Sequence, residues 1–250
     1  MALLDCNNLT KAFGGLTAVD DVSFSVEEGS LSAVIGPNGA GKTTLFNLVS
    51  GALKPTEGDV RFLGRPLAPV PHEAALSGLA RTFQNVRLFQ DMTVLENVLS
   101  AWHSQSLFRT AFWPMGWHTQ ERLRMKRACY LLEDVGLQDC CDARAGDLTF
   151  GKQRLAEIAR ALALKPKLLL LDEPAAGLNR TEGAELAELI RHIVSGGTAV
   201  LLVEHDMQLV MNLVQRVIVL DSGQMIADGT PEQVSKDRRV VEAYLGAADA

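Results

Sequence analysis

SLSAVIGPNGAGKTTLFNLVSG, residues 30–51, decides the fold. Its first six residues, 30–35, form a short β-branched apolar run that reads as a buried strand. Gly36, four residues, and then Gly41-Lys42-Thr43 have the spacing of a phosphate-binding loop. Glycines 36, 39 and 41 let the backbone curl so that successive N–H groups point inward at phosphate oxygens. Lys42 supplies a mobile ammonium for the β- and γ-phosphates, and the Thr43 hydroxyl is placed to ligate Mg²⁺. The helix that follows, from Thr44 through Val49, directs its positive dipole end at the nucleotide, and Gly51 stops it. A glycine-rich turn before an ordinary helix is the plainer reading of the nonapeptide alone. Strand, glycine loop and helix in that order favour a nucleotide, with Gly36, Pro37, Asn38, Gly39, Ala40, Gly41, Lys42, Thr43 and Thr44 around its phosphates.

Length and composition bound what surrounds this loop. At 250 residues the chain is long enough for one large α/β domain or a core with a smaller subdomain. A net charge of −6 gives no general pull towards nucleic acid or an anionic membrane surface. No apolar run approaches the ~20 residues needed to span a bilayer. MALLDCNNLTKAF at the N-terminus lacks the basic start and long apolar core of a signal peptide, so cytoplasmic residence is expected. Cys6, Cys129, Cys140 and Cys141 show no C-x-x-C spacing and read as reduced, structurally incidental thiols.

The order of elements predicts an α/β fold. Leu3 to Leu9, Val22 to Val26 and a strand at 59–64 suggest an antiparallel β layer against the nucleotide core. From Thr93 to Leu137 the pattern turns helical, with Val94, Leu95, Val98 and Leu99 at helical spacing and a later run from Arg122 to Leu132. Beyond that, helices are expected at 153–164, 182–194 and 206–213, and strands at 167–171, 198–203 and 216–220. Near-continuous apolar strands such as Leu168 to Leu171 and Ala199 to Val203 imply a parallel sheet covered on both faces.

Ligands of parallel sheets gather beyond the carboxyl ends of the strands, where this loop also falls. LLLLDE, 168–173, ends an apolar strand in two acids. Asp172 is placed to hold Mg²⁺, directly or through water, as the acidic partner of Thr43. Glu173 can accept a proton from a water attacking the γ-phosphate. Taken alone, the two acids are only a strand-ending turn. His205, after the apolar run at 201–203, could contact the γ-phosphate and the attacking water, or simply sit at a helix N-terminus. Gln84, in a short strand ARTFQN that leads into the helical region, could offer its amide to Mg²⁺ and report nucleotide state.

In order and spacing, these sites resemble the ABC transporter ATPases over nearly the whole chain. KAFGG with Phe13, the loop 36–44, Gln84, the signature-like LTFGKQ at 148–153, LLLLDEPAAGLN at 168–179 and then His205 carry the resemblance. It implies a P-loop NTPase with a RecA-like core, an N-terminal antiparallel β subdomain and an inserted α-helical subdomain. One ATP-binding domain would cover 1–250: 1–90 as β subdomain and first half of the core, 91–160 as the helical and signature part, 161–235 as the second half of the core and 236–250 as a tail. By resemblance, ATP and Mg²⁺ are the cofactors and Phe13 stacks on adenine. Thr149, Gly151 and Gln153 bind the γ-phosphate of ATP held by a second ATPase subunit, and Asn179 falls in the stretch that crosses the dimer interface.

More narrowly, GGLTAVDDVSF, ARTFQNVRLFQDMTVLENVL, LLVEHDM and VVEAYLG are similar to the ATP-binding subunits of branched-chain amino acid importers. The implied partners are two membrane permeases at the cytoplasmic face and, indirectly, an extracytoplasmic substrate-binding protein, with no nucleic acid. A urea importer, an exporter and a soluble ABC ATPase acting on ribosomes or DNA are the alternatives. The last usually carries two cassettes or a long coiled coil, and this chain has neither. Arg180 stands where this branch commonly has proline. Lys152 and Leu155-Ala156 alter the signature's surroundings, Thr149 replaces a common serine, and Asn179 replaces the usual aspartate. The aromatic segment Trp102 to Trp117 reads either as a permease-docking element or as cover for the subdomain's own small core.

Overall fold

A computed structural model describes residues 2–106 and 117–246, with side chains described at 2–102 and 121–244. The chain opens on a long antiparallel hairpin, β1 (Ala2–Phe13) and β2 (Leu16–Glu27), which turns at Gly14-Gly15 with Phe13 paired to Leu16. Two glycines between alternating runs are a hairpin signal, and the pairing carries both strands well past the expected Leu3 to Leu9 and Val22 to Val26. β3 (Leu31–Ile35) follows, five buried residues in a row, and the loop after it leads into α1 (Lys42–Val49). The strand expected at 59–64 is β4 (Glu57–Phe62), because Leu63 and Gly64 take the left-handed turn into the short β5 (Arg65–Pro66). α2 (Pro71–Ser77), unexpected from the sequence despite a proline at its start, leads to β6 (Leu79–Arg81). Gln84 therefore lies in a loop beyond β6, not in a strand.

The middle is helical: α3 (Val94–Ser106), α4 (Trp117–Asp134) and α5 (Phe150–Ala163). α5 starts three residues before the expected 153 because Thr149 caps it, its side chain accepting from the Lys152 amide at 3.5 Å. Then come β7 (Leu168–Asp172), α6 (Arg180–Ser195), β8 (Ala199–Val203), α7 (Met207–Leu213), β9 (Arg216–Asp221) and β10 (Gln224–Gly229). α6 begins at Arg180 rather than 182. Asn179 and Glu182 form a reciprocal capping box there, a four-residue signature that was present in the sequence. α8 (Pro231–Lys236) and α9 (Arg238–Gly246) close the described chain, with Thr230 and Gln233 capping α8 in the same way. Apart from Trp102, whose indole donates to the Ala163 carbonyl at 2.7 Å, the aromatic segment 102–117 has no described side chains, and residues 107–116 lie outside the described residues altogether.

Two sheets result. Four strands, in the order β2-β1-β4-β5, make the antiparallel layer, and six, in the order β10-β9-β3-β8-β7-β6, make the core. In the core sheet β9, β3, β8, β7 and β6 run parallel, and β10 is an antiparallel edge. Period-two alternation divides the buried strands between two cores. Ala33, Ile35, Leu169, Leu171, Val200 and Leu202 face the helical side with α5 and α6. Val34, Leu168, Leu170, Leu201, Val203 and Leu220 face α1 and the antiparallel layer, where Leu4, Leu9, Phe24 and Phe46 fill the gap. Each such Leu or Val stabilises by about 1.5–3 kcal/mol, so both faces specify the register. Four loops then leave the carboxyl edges of adjacent parallel strands β3, β8, β7 and β6.

Candidate functional site

The loop after β3 is wedged against its own scaffold. A Cβ on Gly36 would sit 2.1 Å from the Leu220 carbonyl oxygen of β9, so only glycine fits. Gly41 has φ +97°, and a Cβ there would come within 2.3 Å of the Ala18 carbonyl oxygen of β2. The turn between β9 and β10 braces the loop from behind, the Gly223 amide donating to the Ala40 carbonyl at 3.2 Å. Lys42, the first residue of α1, curls its ammonium back onto the carbonyls of Gly36 and Pro37 at 2.7 and 2.9 Å. Burial pushes the Lys42 ammonium below its ordinary range, against an opposing pull from Glu173. A buried ammonium held only by two neutral carbonyls, at the start of a helix, fits an anion such as a phosphate. Thr43 is exposed at the rim.

On the neighbouring strands the two acids part company. Asp172, the last residue of β7, is buried and accepts from the Arg81 guanidinium at 2.7 Å. Glu173 has φ +47°, a left-handed backbone that is costly for a non-glycine residue and often marks functional sites. Its amide donates to the Val203 carbonyl at 2.9 Å, which fixes it to the end of β8. Its carboxylate accepts from the Gln84 amide at 2.7 Å and lies 3.6 Å from the His205 Nδ1. His205 and Gln84 are exposed, and Glu173 is 17% exposed. Beneath them sits Glu204, which sequence reasoning missed. Its buried carboxylate accepts from the Ala175 amide at 2.8 Å and the His205 amide at 3.2 Å, tying the loops after β7 and β8 together. Burial pushes the Glu204 carboxyl up, and these amides pull it part of the way back. The signal was an acid directly after an apolar strand, beside a histidine.

Lys42, Gln84, Asp172, Glu173 and His205 thus gather on one edge of the sheet. Thr43, Asp172 and Gln84 offer a hydroxyl, a carboxylate and an amide carbonyl, a set of hard oxygen donors that suits Mg²⁺. Among the described residues no group of three or more His, Cys, Asp or Glu side chains is placed to hold a metal ion. A divalent ion here would therefore complete its shell with phosphate oxygens and water.

The signature segment stands apart from that edge. Thr149 and Lys152 are exposed at the start of α5, the Lys152 ammonium lying 3.5 Å from the Cys140 sulfur. Gly151 is buried, and a Cβ on it would meet a Glu182 carboxylate oxygen at 2.8 Å. Gln153 turns its amide back onto the carbonyls of Ala145 and Leu148 at 3.1 and 3.2 Å. Of the three signature residues expected to face a partner's phosphate, only Thr149 presents an exposed side chain. Asn179 is exposed as the cap of α6, and Arg180 is its first residue, where an unpaired amide makes proline and arginine equally compatible with the backbone.

One buried pair joins the two regions, and the sequence did not announce it. Arg154 of α5, 0% exposed, donates to the carbonyls of Phe83 and Gln84 at 2.6 and 2.7 Å and to Glu157 at 3.1 Å. Glu157 also accepts from the Arg87 amide at 3.1 Å, and burial pushes its carboxyl up. The Gln84 loop is therefore clamped at both ends onto the signature helix. Phe13 ends β1, is 47% exposed, and has the Lys11 ammonium 5.1 Å from its ring centre.

Comparison with known proteins agrees with this fold. The family model described as ABC transporter matches residues 19–176, and that described as branched-chain amino acid ATP-binding cassette transporter matches 224–250. The chain is 44% identical to the high-affinity branched-chain amino acid transport ATP-binding protein BraF of Pseudomonas aeruginosa, over 98% of each chain. A crystal structure of the ADP conformation of an ATP-binding cassette of an ABC transporter superposes with a TM-score of 0.86 at 35% identity, covering 98% of this chain and 99% of that one. A dimeric cassette in a post-hydrolysis state, bound to ADP and phosphate, superposes with a TM-score of 0.76 at 27% identity, covering 91% of this chain and 98% of that one. The chain belongs to the ABC transporter family, ATPases by general activity, in its branched-chain amino acid branch.

Proposed function

We infer that this chain is the ATP-hydrolysing subunit of an ABC importer that energises uptake of branched-chain amino acids through membrane permeases. One observation carries the reading at the level of chemistry: Gln84, Glu173 and His205 meet beside the Lys42 loop, on the edge where a nucleotide's phosphates would lie. In that arrangement the loop amides and Lys42 hold the β- and γ-phosphates. Thr43 and Asp172, with Gln84, hold Mg²⁺, which when bound neutralises charge between those phosphates. Glu173 takes the proton of the attacking water, and His205 steadies that water and the γ-phosphate. Phe13 stacks on adenine.

Thr149 and Asn179 cap their own helices yet stay exposed, which supports a sandwich dimer with a second ATPase subunit, identical or related. Gly151 and Gln153 then act by shaping the tip, their side-chain contacts lying within their own chain. Among the described residues no helix is long and apolar enough to cross a membrane, so attachment at the cytoplasmic face would come through the permeases. An extracytoplasmic binding protein would deliver substrate on the far side. Copurification with the permeases, followed by ATPase assays over a panel of amino acids and urea, tests the reading. Stimulation by leucine, isoleucine or valine is expected. Stimulation by urea alone, or none with the intact complex, would overturn the assignment.

A further inference from the structure

Arg81 lies in ARTFQN but receives no role there, and its guanidinium makes four hydrogen bonds, one of them to Asp172. It ends β6, and its guanidinium, 8% exposed as a side chain, lies beside Asp172, 7% exposed, at 2.7 Å. The other terminal nitrogen donates to the Asn47 side-chain oxygen at 2.7 Å, the Ser50 hydroxyl at 2.8 Å and the Phe46 carbonyl at 3.4 Å. Those three acceptors lie at the C-terminal end of α1, where the helix dipole favours a cation. Phe46 and Phe83 flank the guanidinium, with ring centres 5.8 and 5.2 Å away. A planar fork therefore spans from the helix of the phosphate loop to the carboxylate at the end of β7.

From this geometry we propose that Arg81 is a positioning residue for the metal site. It commits one Asp172 oxygen to itself and leaves the other for the metal or its water. By anchoring on Asn47 and Ser50 it also fixes the distance between Asp172 and the helix that carries Thr43. The inference rests on the reading of Thr43 and Asp172 as metal-holding residues. Carboxylates that hold metals are oriented by such outer partners, whose loss typically costs about 10–100-fold in metal affinity. Lysine cannot substitute fully, because a point charge can pair with Asp172 but cannot reach the α1 acceptors at the same time.

The test uses Mn²⁺ as probe, titrated against the full-length chain with ADP and followed by the loss of the free-ion paramagnetic resonance signal. ADP binding in EDTA and the thermal melt are measured alongside. Arg81→Met should weaken Mn²⁺ binding by about tenfold or more while leaving ADP binding in EDTA unchanged. Arg81→Lys should recover part of that loss, and it keeps the experiment decisive if Arg81→Met does not fold. Variants with lower melting temperatures but wild-type Mn²⁺ affinity would make Arg81 merely structural and overturn the proposal alone. A wild-type chain that binds ADP equally well with and without Mn²⁺ would overturn the metal reading and this inference together.

Discussion

The phosphate-loop edge and the signature tip do opposite things with their side chains. At the edge, residues from three strand ends meet each other: Gln84 bonds Glu173, Glu173 faces His205, and Glu204 ties the loops beneath them. At the tip, Thr149 and Lys152 stand exposed, while Gly151 and Gln153 are spent on internal packing. The first region is held together by its own hydrogen bonds. The second, under the proposed function, is one face of a site completed by a second ATPase subunit. The difference assigns two classes of mutational effect: changes at the edge should alter nucleotide binding or hydrolysis directly, and changes at the tip should leave nucleotide binding by the isolated chain alone.

The sharpest way to break the comparison is to cut the link between the regions. Arg154→Met leaves Glu157 buried without its partner and releases the Phe83 and Gln84 carbonyls. A loss of about 3–5 kcal/mol in unfolding free energy is expected from urea titration. Hydrogen exchange should rise first across residues 83–87, because that loop loses its anchor. Lys42→Ala acts only on the edge. Removing charged hydrogen bonds to phosphate should cost about 1.5–3 kcal/mol, a roughly 10–100-fold weaker ATP affinity by calorimetry, and unchanged affinity would sink the loop reading. Phe13→Ala should cost about 1–2 kcal/mol in binding of any nucleotide, in line with base–aromatic stacking, without altering the rate of hydrolysis at saturation. Thr149→Val belongs to the tip. It should lose about 1 kcal/mol of helix capping, leave ATP affinity of the isolated chain alone, and slow turnover only in the assembled transporter.

Glu204 gives the smallest expected effect and a signed one. Its carboxyl is raised in the folded chain, chiefly by burial. The folded state therefore keeps a proton that the unfolded chain has released, and stability falls as pH rises through that window, upward from the ordinary carboxylate range. Glu204→Gln should flatten this slope. Unfolding free energies from urea titration at about pH 5 and about pH 8 should differ less in the variant than in the wild type, by a margin of about 1 kcal/mol or less.

Much of the edge was legible because its information is local. Gly36, Gly41, Lys42 and Thr43 sit within eight consecutive residues, and LLLLDE writes a buried strand and its terminal acids in six. What escaped is long-range. Arg81 meets Asp172 across 91 positions, and Arg154 reaches Phe83 across 71. No period or spacing marks a buried arginine before its partners are in place. Helix starts were missed for a different reason: Thr149 and Asn179 were read for a partner's phosphate and an interface, and each is also an N-cap that sets where α5 and α6 begin. Only strand pairing could settle the position of Gln84, since β6 stops at Arg81, where its partner β7 reaches Leu170.

The central claim is that the sheet edge performs hydrolysis with Glu173 as the base. Glu173→Gln keeps the side chain's size but removes the proton acceptor, and it is best measured in the complex with permeases, with ATP binding and phosphate release followed in one preparation. The account predicts ATP affinity within about twofold of wild type and phosphate release slower by about 100-fold or more. Phosphate release at the wild-type rate would contradict it.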